Sequence, residues 1–104
     1  MFEEYQEVGY FSLEKYTVNY TFITTSDNKN GVYNFKAVFN VDLDAAGVSN
    51  IKKHTGCYIR KVFNNIHEVT YTYNDMPTFD SAKNIKKGLI HKFANILTGV
   101  SDAV

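Results

Sequence analysis

Two stretches of the chain alternate between apolar and polar residues with the period of a β-strand. In residues 16–25 the apolar side chains fall on even positions, and in residues 33–43 they fall on odd positions. Between them lies Asn30-Gly31, the dipeptide preferred at the two positive-φ positions of a type I′ turn. A two-residue turn there pairs Phe22 with Phe39 and puts the apolar residues of both strands on one face. The pattern therefore predicts an antiparallel hairpin whose aromatic face belongs to the core.

Residues 50–66 follow a different period. Their apolar positions recur three or four residues apart and fill one stripe of a helix, and Ser49 is a suitable N-cap before them. Gly56 lies near the edge of the stripe and costs about 1 kcal/mol relative to Ala inside a helix. The alternative is a strand over residues 57–63 that turns at Asn64-Asn65, which scatters the apolar residues over both faces. We favour the helix.

Two further elements follow. Residues 68–74 alternate as a strand does, and Pro77, which cannot donate to a strand ladder, comes soon after them. A second amphipathic helix begins near Thr78 or Asp80 as its cap. Gly99 stands at the position after the last helical residue, where glycine is preferred.

The element order is therefore β-β-α-β-α, and we expect residues 1–104 to form a single small α+β domain. The simplest arrangement is a two-layer sandwich. It has a mainly antiparallel three-stranded sheet in the order 2-1-3 and two helices on its aromatic face. A fourth strand is added if residues 8–13 are extended, whereas residues 2–7 also fit a helical turn. Lys86 falls within the apolar stripe of the last helix, so it either snorkels or marks a contact.

The other face of this sheet carries mainly Thr and Asn, with the aliphatic residues Ile23 and Val38 side by side in the predicted register. Such a face is flat and wettable. It is either solvated or an interface with a partner, which includes a second copy of the chain. We assign this sheet-face interface to Thr21, Ile23, Val38, Asn40 and Thr72.

Composition narrows the class of protein. A hydrophobic content of 44% with 15% aromatic residues is typical of globular chains. Cys57 is the single cysteine, so an intrachain disulfide is excluded and a reducing compartment is expected. The first residues do not resemble a signal peptide, and no apolar run approaches the roughly 20 residues of a membrane span. We therefore predict a cytoplasmic protein, in the host cytoplasm if the source is viral, with no membrane partner.

The formal net charge is zero, but the charges are unevenly distributed. Residues 1–50 hold seven acidic residues and three lysines, whereas residues 51–104 hold eight basic and four acidic residues. This asymmetry indicates either an anionic partner for the second half or acidic and basic elements that face each other. The candidate residues for binding a partner or a nucleic acid are Lys53, Arg60, Lys61, Lys83, Lys87 and His91.

These cations fit binding to a phosphate backbone better than sequence-specific reading of bases. Lysines suit phosphates as point charges, whereas a single arginine argues against bidentate reading of bases. The aromatic rings of the predicted strands point into the core, unlike the rings of an RNA-binding sheet that stacks bases on its open face.

Catalytic signatures are absent from the sequence. Asp42 and Asp44 lie about 6.6 Å apart if both are on one strand face, and they could hold a divalent cation if a third ligand arrived. Cys57 with His54 or His67 could form a thiol–imidazole pair, but one cysteine and three scattered histidines have no zinc-site spacing. We therefore predict no enzymatic activity, no cofactor and no metal site.

The function that fits best is a non-enzymatic binding module for another macromolecule, most simply another protein. Lys, Asn, Ile, Tyr and Phe use A/T-rich codons, and their abundance fits an A/T-rich genome, which bacteriophages and low-GC bacteria both have. We predict a small regulator or inhibitor of the kind that phages and mobile elements encode. One alternative is binding of an RNA or DNA backbone through the basic helix faces. A second alternative is a metal-dependent hydrolase that uses Asp42 and Asp44.

Overall fold

The computed structural model describes residues 2–27, 32–54, 56–76 and 79–99. This part of the chain forms five strands and two helices: β1 (Phe2–Leu13), β2 (Tyr16–Asp27), β3 (Val32–Asp42), α1 (Ala45–Lys52), β4 (Tyr58–Phe63), β5 (Ile66–Met76) and α2 (Phe79–Thr98). The strands form one antiparallel sheet in the order β1-β2-β3-β5-β4. Both helices contribute to one core on a single face of the sheet. The predicted α+β class is confirmed.

The predicted strand count and the order 2-1-3 are wrong. The third predicted strand corresponds to β5, and it pairs with β3 rather than with β2. The other edge of β2 is occupied by β1, which reaches it through a tight turn at Glu14 with a φ of 53°. β4 adds a fifth strand beyond β5. Residues 8–13 are thus extended as one alternative predicted, and the helical turn over residues 2–7 is wrong.

The β2–β3 hairpin is shifted by two residues from the predicted register. Phe22 pairs with Ala37 instead of Phe39, and the last described pair of the hairpin is Asp27 with Val32. The predicted Asn30-Gly31 turn lies outside the described residues. Because the shift is an even number, every side chain keeps its predicted face. The apolar face of the hairpin is therefore confirmed although its pairing is not.

The helix predicted over residues 50–66 is wrong, and the strand alternative describes this segment better. α1 begins earlier, after Asp44, whose side chain accepts a hydrogen bond of 2.8 Å from the backbone N–H of Gly47. The helix ends at Lys52, before Gly56 at a φ of 93°. The chain then forms β4 and turns into β5 at Asn64, where φ is 50°. Asp44, not Ser49, is thus the N-cap.

The core lies between the aromatic face of the sheet and the helices, as predicted. Its centre is Phe39, which is fully buried and stacks on Phe93 of α2 with ring centroids 4.3 Å apart. Each large apolar side chain buried here stabilises the fold by about 1.5–3 kcal/mol. The fully buried set includes Val18, Phe22, Phe35, Ala37, Phe39, Val69, Ile51, Phe93 and Leu97.

At Gly9, β1 makes a close contact with a side chain of its neighbour β2. The ring of Tyr20 lies over Gly9 and stacks on Phe22 with centroids 4.6 Å apart, so a Cβ atom at Gly9 would collide with the Tyr20 hydroxyl. The missing side chain therefore makes room for an aromatic ring from the neighbouring strand.

α2 ends as predicted. Gly99 has a φ of 77°, and its N–H donates to the carbonyl oxygen of Ile96 at 3.1 Å. Lys86 marks a contact, because its ammonium group lies 3.0 Å from the carboxylate of Glu7 on β1. Thr78, one of the two predicted caps, lies outside the described residues, and the helix begins at Phe79. Among the helices of the described residues, none is long and apolar enough to cross a membrane.

Candidate functional site

The helices pack on one face of the sheet, and we call the opposite side the open face. One row of side chains crosses this face at right angles to the strands, since each residue pairs with the next on the neighbouring strand. This central row consists of Val8, Thr21, Val38, Thr70 and Tyr58. Four strand spacings give it a span of roughly 19 Å. It contains no charged residue.

The five residues predicted for a sheet-face interface all lie on the open face by their strand positions. Thr21 and Val38 belong to the central row, while Ile23 pairs with Lys36 in the adjacent row. Ile23 and Val38 are therefore diagonal neighbours, not directly paired as the predicted register had them. Asn40 and Thr72 lie on the same side of β3 and β5. Their role in an interface stays a prediction.

Sequence reasoning missed the apolar residues at both edges of the open face. Val8 and Tyr10 on β1 are 71% and 70% exposed, and Tyr58 at the opposite edge is 66% exposed. Phe63 pairs with Ile66 near the β4–β5 turn, and both are also exposed. The signal was present in the strand alternatives for residues 8–13 and 57–63.

An ion pair on this face joins the edge strand β4 to its neighbour β5. Arg60 of β4 pairs across the ladder with Glu68 of β5, with its Nε and one terminal nitrogen at 3.2 and 3.4 Å from the two carboxylate oxygens. The hydrogen bond that Arg60 donates to Glu68, followed by the charge of this carboxylate, raises the pKa of Arg60. Arg60 is therefore on a strand and already paired, instead of on a basic helix face.

The other predicted cations are distributed over separate surfaces. Lys53 caps the C-terminus of α1 and Lys61 lies on β4, and both line the same groove. Lys87 and His91 are exposed on α2. Lys83 is in the same helix, but its side chain is outside the described ones. The predicted patch on two neighbouring basic helices therefore does not form, because residues 58–63 are a strand and not part of a helix.

The groove lies between α1 and the end of the β4–β5 hairpin and has a volume of about 670 Å³. We call it the basic groove after its four basic lining residues, which are Lys52, Lys53, Lys61 and His67. Lys61 and His67 are cross-strand partners, so their side chains are neighbours. The Nδ1 atom of His67 donates to the carbonyl oxygen of Asn65 at 2.7 Å.

Asp44 and Asp42 do not form the predicted pair on one strand face. Asp42 ends β3 opposite Ile66 on the open face. The Asp44 carboxylate accepts hydrogen bonds from the Tyr16 hydroxyl at 2.7 Å and the Gly47 N–H, and it forms an ion pair with Lys15. The bond from Lys15, followed by those from Tyr16 and Gly47, holds the pKa of Asp44 far below its usual range. In the described ranges, no three His, Cys, Asp or Glu side chains converge as a metal site.

Cys57 precedes β4 and is half-buried, so the helical spacing predicted to join it to His54 does not exist. Burial raises the pKa of its thiol, and the smaller effects of Tyr71 and Lys92 oppose this. A raised pKa disfavours the nucleophilic thiolate at neutral pH. The Tyr71 hydroxyl beside it is buried without a well-formed hydrogen bond. These groups lack the base that an activated cysteine needs.

The chain was also compared with known proteins. No family model matches it, and neither the curated proteins nor the solved structures contain a significant match.

Proposed function

We propose that this protein is a non-enzymatic binding module that holds another protein on the open face of its sheet. The observation that carries this proposal is the uncharged central row with exposed Tyr and Val residues at its two ends. Tyr is enriched in protein interfaces, and charged residues are depleted from their centres. Thr and Val are inexpensive to desolvate compared with Lys or Glu.

The size of the open face suits a modest interface. Five strands about 4.8 Å apart and about eight residues long give it roughly 600 Å², against about 800 Å² per partner in a standard complex. The matching partner presents a flat surface with an apolar centre. Edge contacts through Tyr10 and Tyr58 would add rigid aromatic area at low cost in conformational entropy.

The biological role we propose is regulation or inhibition of that partner. The small size suits a product of a phage or mobile element, and the amino-acid usage fits an A/T-rich genome of a phage or of a low-GC bacterium. The hydrolase alternative is weaker, because the Asp44 carboxylate already accepts from three donors. Nucleic-acid binding is weaker too, since the predicted cations are spread over three surfaces.

The test compares two substitutions that add the same charge. Val38→Glu places a carboxylate at the centre of the open face, whereas Ala46→Glu places one on the exposed side of α1. Both variants are used to capture proteins from a candidate host lysate, and each captured protein is then purified and titrated by calorimetry. We expect Val38→Glu to weaken binding by more than about tenfold, which corresponds to about 1.4 kcal/mol, and Ala46→Glu to leave it unchanged.

Sedimentation of the isolated protein completes the test. A purified protein partner that is lost only with Val38→Glu supports the proposal. Equal binding by both variants overturns it. If sedimentation instead finds a dimer that Val38→Glu dissociates, then a second copy occupies the open face and the proposal of a different protein partner fails.

A further inference from the structure

The basic groove brings together three lysines that form no ion pair with any described residue. Lys15, Arg60 and Lys86 each have a carboxylate within ion-pair distance. Lys52, Lys53 and Lys61 form no such ion pair with any described residue, although they line one concavity. Like charges that share a concave surface repel each other, and a bound anion relieves this repulsion.

The single acidic residue among the ten that line the groove does not supply that anion. The Asp44 carboxylate is held at the N-terminus of α1 by the Gly47 N–H, by the Tyr16 hydroxyl and by Lys15. Lys15 balances its charge from outside the groove. The ammonium groups of the groove therefore lack an internal counter-charge of their own.

The remaining walls of the groove favour a small ligand. Leu43, Ala45 and Val48 provide apolar surface, which lowers the local dielectric and strengthens the attraction of an anion to the lysines. A volume of about 670 Å³ falls within the range of roughly 300–1,000 Å³ that is typical of small-molecule sites. The groove thus has room for more than one phosphate group.

The lysines of the groove are cations of a type that binds phosphate. The two-pronged guanidinium of arginine binds carboxylates and phosphates alike, but Arg60, the only arginine of the chain, is on the open face. Lysine instead acts as a point charge that suits tetrahedral phosphate oxygens. The Nδ1 bond to Asn65 orients the ring of His67, and its Nε2 atom donates to a phosphate oxygen when the ring carries both protons.

We propose that the basic groove binds the phosphate groups of a small phosphorylated ligand, with Lys52, Lys53 and Lys61 as counter-charges and His67 as a hydrogen-bonding partner. This site is independent of the open face, which is on the other side of the sheet. The protein would then carry two separate binding surfaces.

The experiment titrates the protein with sodium pyrophosphate at low ionic strength, followed by calorimetry and by amide chemical shifts. The groove variant is Lys53→Gln/Lys61→Gln. Its matched control is Lys36→Gln/Lys87→Gln, which removes the same charge from two lysines that also lack an ion pair with any described residue. We expect the groove variant to weaken binding by about tenfold for each lysine removed, and the control to weaken it less than about twofold.

The amide shifts give the position of the site. Changes centred on Ala45, Lys61 and His67 support the proposal, and thermal melts check that both variants stay folded. Absence of pyrophosphate binding overturns it, as does an equal loss in the two variants. A single-stranded oligonucleotide is titrated in parallel. If it binds while pyrophosphate does not, a nucleic-acid strand is the partner and the small-ligand proposal fails.

Discussion

The two faces of the sheet are built by the same strands but have opposite properties. On the face beneath the helices, which we call the covered face, Phe39 is fully buried and contacts rings from three other elements. On the open face, Asn40 follows it directly along β3 and is only half-buried. The alternation of a strand thus gives the sheet two different faces, because one face packs into the core and the other is not covered by the helices. We therefore expect substitutions on the covered face to change the free energy of unfolding much more than substitutions on the open face do.

The largest effect is expected at the centre of the covered face. Phe39→Ala removes the ring that stacks on Phe93 and leaves a cavity between the sheet and α2. Such substitutions lower the free energy of unfolding by about 3–5 kcal/mol. Urea denaturation followed by circular dichroism measures this loss.

The adjacent substitution Asn40→Ala is the matched control on the open face. A change within about 0.5 kcal/mol is expected there, as at other surface positions. If both substitutions cost the same, the separation between a stabilising face and a binding face is wrong.

The covered face could be predicted from sequence because its signal is redundant. Residues 16–25 and 33–43 both alternate at most of their positions, so even a two-residue error in register kept Phe22 and Phe39 on the same side. The register itself was predicted from the Asn30-Gly31 dipeptide, and the observed pairing differs from that prediction by two residues. A single dipeptide is a weaker constraint than ten alternating positions.

The β4 segment was harder to predict, and with it both candidate sites. Ile51 and Ile59 both pack on the core, one from α1 and the other from β4, and their spacing imitates one helical stripe. What breaks the stripe is Gly56 at positive φ, a local backbone preference that periodicity does not report. The basic groove depends on Lys61 and His67 pairing across strands, so no helical pattern could reveal it.

A second prediction concerns how α1 is attached to the covered face. Because the folded state lowers the pKa of Asp44, an unfolded chain takes up the proton first as the pH falls. The contribution of this carboxylate to stability is therefore complete above the ordinary pKa of an aspartate, about 4, and declines below it. Asp44→Asn retains a good N-cap but cannot ionise. We expect its free energy of unfolding to fall less than that of the wild type as the pH is lowered from 6 to 3.

Asp42→Asn is the control for this experiment, since it removes an equal charge two residues away without a bond to Tyr16 or Lys15. It should follow the pH dependence of the wild type. Identical curves for all three proteins would show that Asp44 does not hold α1 through its charge. Thermal denaturation across this pH range provides the measurement.

The smallest stability effect is expected at the edge of the open face, where neighbouring residues of β1 offer the sharpest form of the comparison. Tyr10 is 70% exposed, whereas Phe11 points to the other side and packs on the core near Tyr20. Replacement by Thr keeps the strand preference at both positions. Tyr10→Thr should change the free energy of unfolding by less than about 0.5 kcal/mol, while Phe11→Thr should lower it by about 1–2 kcal/mol because a half-buried ring is lost.

If the open face binds a protein, Tyr10→Thr should nevertheless weaken that complex, and Phe11→Thr should leave its affinity unchanged in the folded fraction. Reversed results in the two assays would mean that β1 pairs in the opposite register and that Tyr10 is the residue facing the core.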